Sequence, residues 1–455
     1  MDSTEGAHVL LLPFPGMQGH ANPMLQFGHR LAYHGLSPTL VVSRYVLSTT
    51  TSSCPPFPVA AISDGFDAGG IASCPDTAQY VRRMEAAGSE TLAQLIASQK
   101  GADRAVRVLV YDSHLPWARR VARDAGVAAA AFMTQLCAVD LIYGEVWAGR
   151  VALPLTDGSA LRGRLSVELG PDDVPPFMAA PEWYPAFTES ALSQFDGLED
   201  ADDVLVNSFW DLEPKEADYL ESTWRAKTIG PTLPSFYLDD GRLPSNKTYG
   251  FNLSSSNSAP CMAWLDKQAP SSVVLASYGT VANLDAAQLE ELGNGLYNSG
   301  KPFLWVLRSS EAVQRGREVI CRTPLQVQGE GPDCSVLPSA TGCFLTHCGW
   351  NSTIEAIATG VPVVAMPQWA DQPTTAKYVE SAWGVGLRMR KGSVTREEVQ
   401  RCIRDVLDGE RKEEYKRNAA TWMRKAKEAM SEGGTSDKNI AQFAVKYVST
   451  YTITK

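Results

Sequence analysis

Residues Gly342 to Gln372 read G-C-F-L-T-H-C-G-W-N-S-T-I-E-A-I-A-T-G-V-P-V-V-A-M-P-Q-W-A-D-Q. No other stretch constrains the fold as much, because it compresses a strand, a turn, a helix, a second strand and a polar loop into one unit. Cys343 to Thr346 is a short apolar run that stops at a polar turn, and Ser352 to Glu355 has the Ser-x-x-Glu spacing of a capping box opening a helix. Such a turn aims backbone N–H groups outward. A helix N-terminus adds partial positive charge to those donors, so a pyrophosphate fits there beside His347 without a metal. Taken one residue at a time, the same letters describe only a strand-helix-strand unit of an α/β sheet, with Glu355 as a cap.

The N-terminal half repeats the strand-then-helix rhythm. His8 to Pro15 is a β-rich apolar run, followed by Gly16, Met17, Gln18, Gly19, His20, Ala21, Asn22 and Pro23, and then by an amphipathic segment from Met24 to His34. Asn22 suits an N-cap, Pro23 the first helical position and Gly35 the C-terminal stop. Val106 to Tyr111 is a further strand-like run, ending in Asp112. Thr39 to Ser43, Val59 to Ile62, Val127 to Met133 and Val204 to Ser208 also read as strands, and Thr77 to Gln99 as a helix. Strands alternating with helices predict a parallel, doubly wound sheet. Ligands of such sheets collect at the carboxyl ends of the strands, where the first loop places His20. On its own, a His in a glycine-rich loop is a hydrogen-bonded structural residue, and an Asp just after a strand is a turn residue. The glycines do not fit G-x-G-x-x-G, which opposes an NAD-type oxidoreductase on the same topology.

A chain of 455 residues is too long for one core, and two domains of roughly 200 residues are expected. From Leu233 to Pro260 apolar periodicity fades and Ser and Asn accumulate, which marks a linker. A second α/β pattern follows: a strand from Val273 to Tyr278, a helix from Leu284 to Asn298, and a strand from Pro302 to Leu307. Helices are expected from Thr395 to Leu407, opened by a capping box to Glu398, and from Glu410 to Met430. The formal net charge of -10 argues against nucleic acid or an anionic membrane as the main partner. Nine scattered Cys read as reduced thiols, and Cys343, His347 and Cys348 lack a zinc spacing. The apolar run from Val9 meets Pro13 and Pro15 at once, so neither secretion nor membrane insertion is indicated.

The run from Gly342 to Gln372 resembles, nearly residue for residue, the donor-binding signature of plant-type UDP-dependent glycosyltransferases of secondary metabolism. The loop P-x-x-Q-G-H-x-N-P and the stretch D-S-x-L-P-W-A at Asp112 resemble the acceptor-side loops of the same family. The resemblance implies a GT-B fold, an α/β architecture of two Rossmann-like doubly wound parallel-sheet domains facing a cleft. It implies an acceptor-binding domain over 1–240, a linker over 241–259, a UDP-sugar domain over 260–440 and a returning C-terminal segment over 441–455. By the same resemblance His20 is the catalytic base and Asp112 its partner, with Met17 and Gln135 on the acceptor. His114 beside Asp112 reads as a variable neighbour, and Pro154 to Trp183 as the acceptor-pocket loop region. On the donor side it implies His347 at the diphosphate, Trp350, Asn351 and Ser352 at the phosphates and nearby backbone, Glu355 at the ribose, and Asp371 with Gln372 at the sugar. The turn at Ser277 to Thr280 resembles the second phosphate-side loop. The implied reaction is inverting glucosyl transfer from UDP-glucose to a hydroxyl or carboxyl of a small lipophilic acceptor (a plant secondary metabolite, hormone or xenobiotic), by a cytoplasmic monomer without cofactor or metal. A terminal Gln accompanies glucose in the family, and its amide can both donate and accept between adjacent hydroxyls.

The resemblance breaks over Ser309 to Ala340. Counting back from His347, the Trp expected to stack on uracil falls on Gly329, the following Gln on Pro332 and a second His on Pro338. Length is kept while content is lost, the pattern of a shifted reading frame. Pro324, Pro332 and Pro338 stand where a central strand and its flanks are expected, so the sequence predicts a poorly packed segment with little regular structure, tempered by a possible short strand from Glu318 to Cys321. It leaves a weak or silent relative as the alternative to an active enzyme.

Overall fold

Strands buried on both faces need continuous apolar runs, and the first strand, β1 (His8–Leu12), is buried at every position. The computed structural model describes residues 6–50, 57–74, 76–99, 105–238, 240–244, 263–278, 284–307, 325–328, 339–390, 392 and 394–449. By internal contacts the chain divides into two units, Met1–Leu153 with Ala180–Leu253 and Glu428–Lys455, and Pro154–Ala179 with Ser254–Lys427.

The first unit holds a parallel sheet of β1, β2 (Ser37–Ser43), β3 (Val59–Ile62), β4 (Val106–Asp112), β5 (Ala128–Met133), β6 (Asp203–Val206) and β7 (Ala226–Thr228). Its order is β3-β2-β1-β4-β5-β6-β7, so the strand order reverses between β1 and β4. That switch point is where an open α/β sheet leaves a crevice for a ligand. The last helix, Thr435–Ser449, docks on this unit, with Ser436 Oγ donating to the Gly230 carbonyl at 2.6 Å and Asn439 Nδ2 to that of Thr228 at 2.9 Å.

The second unit holds β8 (Val273–Ser277), β9 (Phe303–Leu307), β10 (Leu325–Gln328), β11 (Thr341–Thr346), β12 (Val363–Ala365) and β13 (Gly386–Arg388), in the order β10-β9-β8-β11-β12-β13. Here the reversal falls between β8 and β11. Its core includes Val274, Phe303, Trp305 and Leu345 from the strands and Leu289, Leu292, Leu296, Val399 and Ile403 from the covering helices.

Several local expectations are corrected. The first helix is Gln18–Tyr33 with Met17 at the N-cap, so Asn22 and Pro23 lie inside it. Early winding is possible because the Met17 carbonyl accepts the N–H groups of both His20 and Ala21 at 3.1 Å, and Pro23 forfeits only one intrahelical bond. The helix after β11 is Trp350–Thr359, capped by Gly349 and not by Ser352. Left-handed Cys348, at φ 64°, turns the chain so sharply that the first helical bond runs from Thr353 N to Gly349 O at 3.0 Å. Thr395 does cap Arg396–Leu407, but the Glu398 carboxylate bonds the Arg390 N–H and Arg401, so the box is half made. A full capping box that the sequence reading missed, Asp285 with Gln288, opens Ala286–Asn298.

Of the described residues of the divergent segment, 325–328 and 339–340, the first four form a regular strand at the edge of the sheet, paired with β9, where a central one was expected. An edge strand bonds along one side only and makes weaker demands on its sequence. Glu318 to Cys321, Pro324, Gly329, Pro332 and Pro338 lie outside the described residues, as does most of the expected linker.

Candidate active site

Both acceptor-side residues sit at the switch point of the first sheet. β1 leads through Phe14 and left-handed Gly16 into the helix that carries His20, and Asp112 is the last residue of β4. Ninety-two positions apart in sequence, His20 Nδ1 and Asp112 Oδ2 are 2.6 Å apart. The carboxylate is fully buried, and the His20 side chain keeps 20% of its surface exposed. Burial works to raise the Asp112 pKa, but the facing His20 ring and the N–H of His114, 3.1 Å from Oδ1, outweigh it and hold the carboxyl below its usual range. With Nδ1 committed to Asp112, a neutral His20 ring carries its lone pair on Nε2, the arrangement of an oriented general base.

His114, a mere neighbour in the sequence reading, is part of this cluster. Its ring lies edge-on to His20 with centroids 5.6 Å apart, and Nδ1 meets Ser190 Oγ at 3.2 Å. Burial presses its pKa to about 4 despite the pull of Asp112. Phe14 packs against both imidazoles. Met17 is partly buried at the helix N-cap. Gln135 follows Thr134, whose Oγ1 is 3.5 Å from His20 Nδ1, and the Gln135 side-chain oxygen is buried with no hydrogen-bond partner among the described residues.

The donor-side residues gather at the switch point of the second sheet. Ser277 ends β8, Thr346 ends β11, and the helix N-terminus at Gly349 to Ser352 follows directly. His347 lies in the turn with Thr346 Oγ1 3.4 Å from Nδ1. Burial pushes its imidazole down to about 4, so near neutral pH the ring is uncharged and carries one N–H. Trp350 is 4% exposed and its ring packs near that of Trp383, at the start of the helix. Asn351, Ser352 and Glu355 are partly buried along the first turns. Thr280 lies outside the described residues.

Asp371 occupies the N-cap position of the six-residue helix Gln372–Lys377, with no side-chain cap bond. The Gln372 carboxamide oxygen accepts the N–H groups of Gln368 at 2.9 Å and Trp369 at 3.0 Å. With that oxygen taken, Gln372 offers a ligand donors only, a narrower role than the donating and accepting bridge expected of it. Among the described residues no group of three or more His, Cys, Asp or Glu side chains is arranged to hold a metal, and no helix is long and apolar enough to cross a membrane.

The depressed histidines make a pH prediction. An unfolded His titrates near 6.5, and His114 and His347 in the fold near 4. The unfolded chain therefore binds more protons between those values, so their contribution is complete above 6.5 and is lost as pH falls toward 4. Glu213, raised to about 7 by burial and by Glu216, works in the opposite sense as pH rises through 7. Comparison with His114→Gln isolates one histidine: thermal denaturation between about pH 7 and about pH 4.5 should lose stability less steeply in the variant, by up to about 1.4 kcal/mol per pH unit. Equal slopes would contradict the assignment.

Two parallel sheets, each with its candidate groups at its own switch point, are also the fold of the crystal structure of Os79 from O. sativa in complex with UDP. That structure matches with a TM-score of 0.93 and 65% identity over 96% of this chain and 100% of that one. The protein is thus a GT-B glycosyltransferase. The family model for "UDP-glucoronosyl and UDP-glucosyl transferase" matches residues 243–429. UDP-glucosyltransferase UGT13248 of Hordeum vulgare is 65% identical over 451 residues, covering 97% of this chain and 95% of that one. The chain belongs to the plant UDP-glucosyltransferase family and is an enzyme that uses a UDP-sugar. Os79 has also been crystallised with UDP and deoxynivalenol-3-glucoside, and that structure is 62% identical over 96% of this chain, with a TM-score of 0.86.

Proposed function

We propose that this enzyme transfers glucose from UDP-glucose, with inversion, to a hydroxyl of a small lipophilic acceptor such as a xenobiotic. The observation that carries the reading is the 2.6 Å contact between His20 and buried Asp112 at the acceptor-side switch point. His20 Nε2 takes the proton of the acceptor hydroxyl as its oxygen attacks the anomeric carbon, and Asp112 stabilises the imidazolium that forms. UDP departs with its diphosphate at the first-turn N–H groups of Trp350 to Ser352 and the N–H of His347, where negative charge builds up. Glu355 holds the ribose, Ser277 and Thr280 the second phosphate side, and Asp371 accepts from sugar hydroxyls while Gln372 donates to them. Met17 and Gln135 line the acceptor. An unpartnered buried oxygen costs about 1–3 kcal/mol, which a hydroxyl donated by an acceptor to Gln135 would offset. The acceptor class is supported by the glucoside bound in the rice relative.

Donor competition at equal concentrations tests the sugar assignment. UDP-glucose should be preferred over UDP-galactose and UDP-glucuronate by at least about tenfold in kcat/KM, some 1.4 kcal/mol. Preference for either competitor would refute it. By the count back from His347, Gly329 falls on the position of the Trp that the resemblance implies for stacking on uracil, so Gly329→Trp should tighten UDP binding by about one to two decades, the worth of a stacked base. Unchanged affinity would mean that the uracil is held by other groups.

A further inference from the structure

Pro154–Ala179 makes up most of the stretch to Trp183 expected as an acceptor-pocket loop region, yet it belongs to the second unit, although the chain on either side of it belongs to the first. Its anchor is Asp173, 8% exposed. The carboxylate accepts from Arg388 Nη1 at 2.5 Å and from the Gly170 N–H at 2.8 Å, with Lys377 Nζ 4.0 Å away. Its backbone carbonyl accepts from buried Thr374 Oγ1 at 2.6 Å, and Arg388 Nη2 also donates to the Asp172 carbonyl at 2.6 Å. Four residues further on, Phe177 meets the Trp369 ring edge-on with centroids 5.4 Å apart. Thr374 and Lys377 lie on Gln372–Lys377, and Trp369 lies just before it. A helix of six residues has no stability of its own, so its orientation comes from what packs on it. The contacts thus bracket Asp371 and Gln372 from both sides.

We propose that Asp173 is a positioning residue for donor-sugar recognition: by holding Thr374, Lys377 and Arg388 it fixes the loop and short helix that present Asp371 and Gln372 to the sugar. The inference rests on the reading of those two residues as sugar ligands. It separates the sugar from the nucleotide, because the groups assigned to the diphosphate and ribose lie at the ends of β8 and β11 and are not among the partners just named.

UDP, which lacks the sugar, is the control ligand. In the full-length enzyme Asp173→Ala should raise KM for UDP-glucose at least about fivefold while Kd for UDP stays within about twofold of wild type, and Asp173→Glu should recover part of the loss. If Asp173→Ala does not fold, Asp173→Asn carries the test, since it removes the charge that faces Arg388 and Lys377 at nearly constant shape; KM for UDP-glucose should rise about two- to threefold with UDP binding unchanged. Equal weakening of both ligands, or no change in either, would reduce Asp173 to an anchor of the fold and overturn the proposal. Wild-type enzyme that binds UDP but gains nothing from the glucose moiety would instead overturn the sugar-site reading beneath it.

Discussion

Replacing His20 by Ala should lower kcat for a hydroxyl acceptor by about 10²- to 10⁴-fold, the range over which a positioned general base contributes, while the affinity for UDP is unchanged. The physical reason is that an alcohol at neutral pH is a poor nucleophile until its proton is removed, and the ring held by Asp112 at 2.6 Å is the group oriented to take it. His20 and the residues proposed for the donor belong to different units of the chain, so loss of turnover and loss of UDP binding should separate. A carboxylic acid acceptor sharpens the test, since it is already ionised at pH 7 and needs no base; with such an acceptor the variant should lose far less. Asp112→Asn is the companion variant, preferable to Ala because the site is fully buried and truncation would add a cavity. It keeps the shape and removes the charge that stabilises the imidazolium, so kcat should fall strongly with KM little changed. Turnover of His20→Ala within a few-fold of wild type would remove this residue from the chemistry.

On the donor side the largest expected effect comes from adding one methyl group. A Cβ at Gly349 would lie 2.4 Å from His347 Nε2 and 3.0 Å from Cε1, closer than real carbon atoms come. Gly349 has φ −59°, which any residue adopts, so the obstacle is the neighbouring ring and not the backbone. That ring sits on a short turn next to left-handed Cys348 and cannot retreat as a long flexible side chain could. Gly349→Ala should therefore force the turn and the His347 ring out of the position proposed for binding the diphosphate and weaken UDP by at least about tenfold, some 1.4 kcal/mol, while the thermal midpoint shifts by only a few degrees. Calorimetric titration with UDP measures it. An affinity within about twofold of wild type would show that His347 does not hold the diphosphate.

Much of the fold is legible in the residue pattern, and what is not legible has a common cause. The apolar runs at His8, Val106, Val273 and Cys343 become central strands of the two sheets because strands covered on both faces cannot alternate. Three-residue strands such as Ala226–Thr228 and Gly386–Arg388 are too short to carry a period, and neither was anticipated. Helix starts were misplaced where a tight turn overrode cap preference: Ser352 and Asn22 are good caps in isolation, but the chain has already begun to wind at Trp350 and Gln18. The site residues are individually ordinary letters. His20 and Asp112 gain meaning from a strand order that brings β1 beside β4, and Asp173 from a partner 215 positions away. Gly349 looks like a plain turn residue until the ring of His347 is placed above it.

The most direct test is proton NMR of the full-length enzyme working on α-linked UDP-glucose with a panel of small lipophilic alcohols. A β-configured glucoside should appear together with one equivalent of UDP. An α-configured product, or UDP binding with no glucoside at all, would contradict inverting transfer by this chain.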